Sequence, residues 1–201
     1  MKSKTLNAAS VATDYYGTKA SVYDKNNEHT VKWNNEQRIV ENWLSTTQPT
    51  SSVLDIPCGT GRFFDLYERR YLFYTGIDMS TEMLSQAKAK ASDLHCIDLI
   101  QYSIFNIHAL KRKWQTSICV RLLNFFTTSE AIEALDILCK CTSEQLIFSM
   151  RTGDSSSSTK RCNVHDFTSI RRIINNNNFF ITSTDVASTN NYKVYKAIKA
   201  C

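Results

Sequence analysis

The chain has 201 residues, 42% of them apolar and 21% charged, with a net charge of +5. That length suits one domain with a full-sized core, and the composition is that of an ordinary globular protein. The lysines and arginines are spread along the chain, so it lacks the dense basic block that nucleic-acid or polybasic membrane binding calls for, and no stretch approaches the roughly 20 apolar residues that span a bilayer.

The seven cysteines are scattered, with no Cys-x-x-Cys and no paired Cys/His spacing. Reduced thiols in a cytoplasmic setting are the expectation, with neither a disulfide framework nor a metal site. The amino terminus begins with lysines but carries no apolar run of leader length.

Residues 1–30 are polar, with Tyr15, Tyr16, Gly17, Tyr23 and Asp24 as landmarks, and by composition alone they read as a flexible tail. Trp33 to Leu44 is an amphipathic helix whose Ile39, Val40, Trp43 and Leu44 make one apolar stripe. Gln48 to Ser52 is a turn. Ser51 to Cys58 follows as a buried strand, with Val53, Leu54 and Ile56 for the core and Asp55 near its end.

Gly59-Thr60-Gly61 comes next, and Arg62 to Tyr67 shows helical apolar spacing. Two glycines between strand and helix let a ligand approach the backbone where a Cβ would collide, and a helix N-terminus there favours an anionic group. By itself this is also the pattern of a tight turn with no ligand. The following unit, Tyr71 to Asp78, reads as a second strand that ends in an acid, and the helix Thr81 to Ala91 comes after it. An acid about 20 residues beyond such glycines takes ribose hydroxyls in dinucleotide-binding folds. The nicotinamide fingerprint would need a third glycine at the position of Phe64.

The pattern Asp55-x-Pro57-Cys58-Gly59-Thr60-Gly61, followed by Gly76-Ile77-Asp78-Met79-Ser80-x-x-Met83-Leu84-x-x-Ala87, resembles the class I S-adenosylmethionine-dependent methyltransferases. Pro57 stands where a glycine is more usual. The resemblance implies that Asp55, Pro57, Cys58, Gly59, Thr60 and Gly61 cradle the methionine and ribose end of S-adenosylmethionine. It also implies that Asp78 bonds the ribose, with Met79 and Met83 beside it, and that S-adenosylhomocysteine is the product. Tyr15, Tyr16, Tyr23 and Asp24 match the general character of a lid segment that many small members fold over the cofactor.

Further along, His95 to Tyr102 reads as a third strand. Asn106 then occupies the place where the family has an acid for the adenine amino group, and Ile107 beside it is placed to pack on the ring. Trp114 to Phe126 covers a fourth strand and its loop, with Gln115 where an acid often opens the strand. Arg121 and Asn124 are the candidates for contacting the acceptor, Arg121 also for the methionine carboxylate. A nucleobase enzyme would want an Asn/Asp-Pro-Pro-aromatic motif or a Pro-Cys pair here. Asn124-Phe125-Phe126 has no proline, and none precedes Cys119.

Thr127 to Glu130 has capping-box spacing, with Ile132, Leu135 and Leu138 as the stripe of the helix behind it. Glu144 to Met150 reads as a fully buried fifth strand. Arg151 to Asn163 is a polar loop placed to roof an acceptor pocket. His165 to Asn175 is a last helix, and Phe179 to Val186 with Tyr192 to Ile198 form a hairpin.

Alternating strands and helices imply an α/β fold with helices on both faces of a parallel sheet. The resemblance implies a Rossmann-like, doubly wound, seven-stranded, mostly parallel sheet in a three-layer αβα arrangement, its last strand inserted antiparallel. Residues 31–201 would form the cofactor-binding domain, with 1–30 as a lid or flexible segment. The expected reaction is in-line transfer of a methyl group to a small-molecule acceptor, by a monomer or homodimer. Tyr16, Tyr23, His108 and His165 are candidates for a base. The alternatives are a nucleic-acid or protein methyltransferase, or a cofactor-binding protein that transfers nothing or cleaves the cofactor, a reading prompted by Asn106 and Gln115.

Overall fold

The computed structural model describes residues 19–46, 48, 51–69, 73–91, 97–153, 162–188 and 191–200. Tyr15, Tyr16, Gly17, His95, Cys96 and the serine run 155–158 lie outside these residues. The chain divides into two compact units, Met1–Ser103 and Ile104–Cys201.

In the first unit a 3-10 turn (Ala20–Val22) runs into the short helix α1 (Tyr23–Asn27) and then into α2 (Val31–Leu44). The Thr30 hydroxyl caps α2 by accepting from the Trp33 N–H at 3.2 Å. The buried face of α2 is Trp33, Glu36, Ile39, Val40 and Leu44, so a carboxylate lies on the face turned to the core. Strands β1 (Ser52–Asp55), β2 (Phe73–Asp78) and β3 (Ile97–Gln101) pair in parallel, with β2 in the middle. Helices α3 (Phe64–Arg69) and α4 (Thr81–Lys90) make the crossovers.

Two expectations are corrected here. The first strand stops at Asp55, because the cis Ile56–Pro57 bond and the glycines turn the chain. The next helix begins at Phe64, two residues later than its apolar spacing suggests. Gly61 at φ +79° is still in the turn, and Phe64 N–H reaches back to its carbonyl.

In the second unit a 3-10 segment (Ile104–Leu110) leads to β4 (Trp114–Cys119), a 3-10 turn (Leu123–Phe125), α5 (Thr128–Cys141) and β5 (Thr142–Arg151). Helix α6 (Phe167–Asn176) and strands β6 (Phe179–Ser188) and β7 (Tyr192–Lys199) complete it. The capping box is present: Thr127 accepts from Glu130 N–H, and the Glu130 carboxylate accepts from Thr127 N–H. The buried stripe of α5 runs through Ala131, Ala134, Leu135 and Leu138, while Ile132 is half-buried. The last helix starts at Phe167 rather than His165, because the Asp166 side chain accepts from the N–H groups of Thr168 and Ser169. Strand β5 is buried from Gln145 to Met150, but Glu144 is exposed.

β4 and β5 are parallel, and β7 lies between β5 and β6, antiparallel to both. All seven strands belong to one sheet in the order β3-β2-β1-β4-β5-β7-β6. This is the mostly parallel sheet with a reversed inner strand that the sequence resemblance implies.

Candidate active site

The turn after β1 is built from backbone bonds and two left-handed glycines. Cys58 N–H donates to the Ile77 carbonyl at 2.9 Å and Gly61 N–H to the Cys58 carbonyl at 3.0 Å. Gly59 has φ +55° with nothing within 4 Å of where a Cβ would stand, whereas a Cβ on Gly61 would lie 2.3 Å from the Phe64 ring. The two glycines therefore serve different needs. Gly61 allows packing of the helix, and Gly59 leaves open space above the turn.

Asp78 closes the cradle. Its Oδ2 accepts from Gly59 N–H at 2.9 Å and its Oδ1 from Ser80 N–H at 2.9 Å. Each oxygen keeps a lone pair for a further donor such as a ribose hydroxyl. Burial raises the pKa of its carboxyl, opposed by those backbone bonds. Ser80 in turn caps α4, its hydroxyl accepting from Met83 N–H at 3.2 Å. Met79 is 39% exposed and presents apolar surface, while Met83 is buried. The Met79 carbonyl accepts from the Gln101 amide at 3.1 Å.

Beneath the turn Asp55 is enclosed, with the Tyr74 hydroxyl donating to its Oδ2 at 3.1 Å. Burial pushes its pKa up to about 8, so the carboxyl is largely protonated at neutral pH. The Tyr67 ring lies 4.4 Å from that of Tyr74, and its buried hydroxyl has no hydrogen-bond partner. The Cys58 thiol is likewise buried, which raises its pKa and keeps it protonated.

Two further contacts fasten the turn. The Thr60 hydroxyl donates to Asp24 Oδ1 at 2.6 Å, and Asp24 also pairs with Lys90 at the end of α4. Asp24 and Tyr23 thus sit in a short helix fastened to the glycine turn, where composition alone suggests a loose tail. Arg62 lies 3.8 Å over the Trp33 ring and donates to Gln37 at 2.8 Å, to Glu36 at 3.2 Å and to the Trp33 carbonyl. Sequence reasoning left this group unread. Its signal is Glu36 on an apolar helical face, since a buried carboxylate needs a cation.

In the second unit Arg121 follows β4 with φ +66°, and its N–H donates to the Ser149 hydroxyl at 2.9 Å. Asn124 is buried, and its side-chain oxygen accepts from Arg151 N–H at 2.7 Å, so that oxygen is committed to the protein. His165 is fully buried, with Nε2 2.8 Å from the Leu123 carbonyl and its N–H on the Arg151 carbonyl. Burial lowers its pKa, so the ring is neutral and holds the loop in place. His108 and Asn106 are exposed, whereas Ile107 is fully buried and belongs to the core. Gln115 bonds Glu144 at 3.1 Å. Tyr16 lies outside the described residues. Tyr23 packs edge-on against Trp33 at 5.9 Å.

The five described cysteines are free, and no His, Cys, Asp and Glu cluster among the described residues is set to hold a metal. No helix among them is long and apolar enough to cross a membrane.

An open glycine turn whose backbone is hydrogen-bonded to the acid at the end of the neighbouring strand, on this sheet topology, is the arrangement of the Rossmann-like methyltransferase fold. Residues 53–145 match the family described as "Methyltransferase domain". A putative methyltransferase of Bacillus subtilis, YqeM, is 30% identical over 117 residues, which is 56% of this chain and 44% of that protein. The chain therefore spans less than half the length of this relative.

Among solved structures, magnesium protoporphyrin IX methyltransferase from Synechocystis is similar both with bound S-adenosylmethionine (TM-score 0.76, 21% identity, 96% of this chain and 97% of that one) and with bound S-adenosylhomocysteine (TM-score 0.79, 19% identity, 96% and 100%). The cyclase SpnF also shares the fold (TM-score 0.68, 12% identity, 81% of this chain and 80% of that one). At these identities the likeness is one of fold. The residues of the Gly59–Asp78 cradle fit the family's cofactor, with open space above the turn and unused acceptor capacity on Asp78.

Proposed function

We propose that this protein transfers the methyl group of S-adenosylmethionine to a small-molecule acceptor. The observation that carries the proposal is the bond from Gly59 N–H to Asp78 Oδ2, which makes the open turn and the ribose acid one rigid unit. When bound, the cofactor supplies a sulfonium methyl that is electrophilic without further activation.

What remains for the chain is binding, alignment and exclusion of water. Asp78 accepts from the ribose hydroxyls, Gly59 and Thr60 lie under the cofactor, and Met79 offers apolar surface to the base. Cys58 and Pro57 shape the turn, and Asp55 below it stands ready to exchange its proton when a cationic amino group is held nearby. The α1 segment, pinned by Asp24 to Thr60 and Lys90, is the closing element.

General-base catalysis is not the basis of this reading. His165 is enclosed and neutral, and His108 is exposed on a 3-10 segment. An acceptor that arrives deprotonated needs none. Support for a small acceptor comes from the spread of basic residues along the chain and from the similarity to magnesium protoporphyrin IX methyltransferase. Asn124 acts as a positioning residue for the loop beside Arg121, and Arg121 is offered to the acceptor side.

The test is incubation with methyl-labelled cofactor and a cell extract, split afterwards into metabolite, protein and nucleic-acid fractions. Label in the metabolite fraction is expected. Label confined to macromolecules would overturn the small-molecule assignment, and no label in any fraction would overturn transfer itself.

A further inference from the structure

Arg151 is the last residue of β5, at the carboxyl end of a strand parallel to β4. Ligands of open α/β sheets lie at that end of the parallel strands. Its backbone is tightly held: the N–H donates to Asn124 Oδ1 at 2.7 Å, and the carbonyl accepts from His165 N–H at 2.9 Å. The polar groups nearby satisfy one another. The Ser149 hydroxyl, two residues back and on the same face of the strand, meets the Tyr192 hydroxyl at 2.5 Å and Arg121 N–H at 2.9 Å. Thr152 meets the Tyr195 hydroxyl at 2.8 Å.

The Arg151 side chain is the exception. It is half-buried, its Nε is enclosed by protein, and that Nε has no hydrogen-bond partner. No carboxylate among the described residues forms an ion pair with it. An enclosed, unanswered donor on a cation is costly to keep, and a native site normally supplies its partner. The guanidinium fork matches two oxygens of one anionic group, a geometry that neither water nor a single carbonyl satisfies as well.

We propose that Arg151 is the acceptor-binding residue, and that the acceptor carries an anionic group, a carboxylate or a phosphate, which the Arg151 guanidinium holds. The inference rests on the methyltransferase reading and narrows its substrate class. The role is binding and orientation, and methyl transfer to another atom of the same molecule is compatible with it. Sequence reasoning placed Arg151 at the head of the polar loop. The isolated position of its Nε gives it a function.

The experiment is nitrogen-15 NMR of the full chain saturated with S-adenosylhomocysteine, following the arginine Nε–Hε signals. The Arg151 signal is assigned by its loss in Arg151→Gln. Titrants are benzoate and phenylacetate, their uncharged amides, and inorganic phosphate.

A saturable movement of the Arg151 signal with a carboxylate or with phosphate, and none with the amides, is expected. Which anion acts identifies the group. In Arg151→Gln, the same titration followed on backbone amide signals should show affinity at least about tenfold weaker, because a charge-assisted pair is lost. No saturable movement with any anion, equal movement with the amides, or unchanged affinity in Arg151→Gln would overturn the proposal. Calorimetry with S-adenosylhomocysteine on both proteins separates the two claims. Binding of that ligand with no anion response sinks the Arg151 assignment alone, and absence of that binding sinks the cofactor reading.

Discussion

Gly59 and Asp78 are joined by a 2.9 Å hydrogen bond from backbone N–H to carboxylate, across the two adjacent strands whose ends they follow or form. A second 2.9 Å bond from Ser80 N–H fixes the other oxygen. The acid therefore has one orientation before any ligand arrives, and its spare lone pairs face a turn in which a Cβ on Gly59 would meet nothing.

Replacing Asp78 by Ala removes both anchors and the proposed acceptor for the ribose hydroxyls. Hydrogen bonds to a charged group contribute about 1.5–3 kcal/mol. S-adenosylhomocysteine affinity by calorimetry should fall by at least about tenfold. Affinity equal to wild type would remove Asp78 from the site.

The two glycines of the turn should respond differently to Ala. Gly61→Ala drives a Cβ into the Phe64 ring at 2.3 Å from a backbone at φ +79°, and should destabilise the fold by about 2–4 kcal/mol in urea unfolding. Gly59→Ala meets no protein atom within 4 Å and carries only the left-handed backbone cost, about 1–2 kcal/mol. Its larger effect should be on cofactor binding, where the new methyl enters the ligand's space. Equal effects of the two on binding and on stability would contradict this division.

Asp55 makes stability pH-dependent. Its folded pKa is raised to about 8 from an ordinary 3.8, so the folded state binds the proton more tightly than the unfolded one. Its contribution is complete below the unfolded value and is lost as pH rises toward the folded one. Asp55→Asn, which does not titrate, should therefore gain stability relative to wild type between pH about 4 and about 8, and the gap should then level off. A gap that is flat or narrows over that interval in urea unfolding of the ligand-free protein would show that Asp55 is ionised in the fold.

Glu36 and Arg62 form a pair with little exposure of either side chain, 0% and 9%. Leaving one buried charge without the other costs about 3–5 kcal/mol. Glu36→Ala should lower stability by an amount in that range, with some loss of cofactor affinity because Arg62 adjoins Gly61. A change below about 1 kcal/mol would mean that the Trp33 ring and Gln37 hold the guanidinium unaided.

The parts of this molecule that a sequence can display are those fixed by local spacing. The strand, glycine turn and acid from Val53 to Asp78 are read from hydrophobic runs and two glycines, and the Thr127–Glu130 capping box from four residues. Boundaries differ by two residues where apolar spacing is read without the side-chain contact that sets the first turn of the helix. The start of α3 waits on how Phe64 packs against Gly61, and α6 starts after Asp166 because that side chain reaches two backbone N–H groups.

Site residues were harder for the same reason. Ile107 and Asn106 adjoin in sequence but are fully buried and exposed respectively, which only the 3-10 geometry determines. Asp24 becomes part of the site through Thr60 and Lys90, both remote in sequence. The lone Nε of Arg151 is an absence of partners, which no motif encodes.

The turn from Asp55 to Gly61, locked to Asp78, is the proposed seat of S-adenosylmethionine. Titration calorimetry of the full chain with S-adenosylhomocysteine tests it most directly. Saturable binding at one site per chain is expected, weakened at least about tenfold by Asp78→Ala. Folded protein that gives no binding to S-adenosylhomocysteine or to S-adenosylmethionine would contradict it.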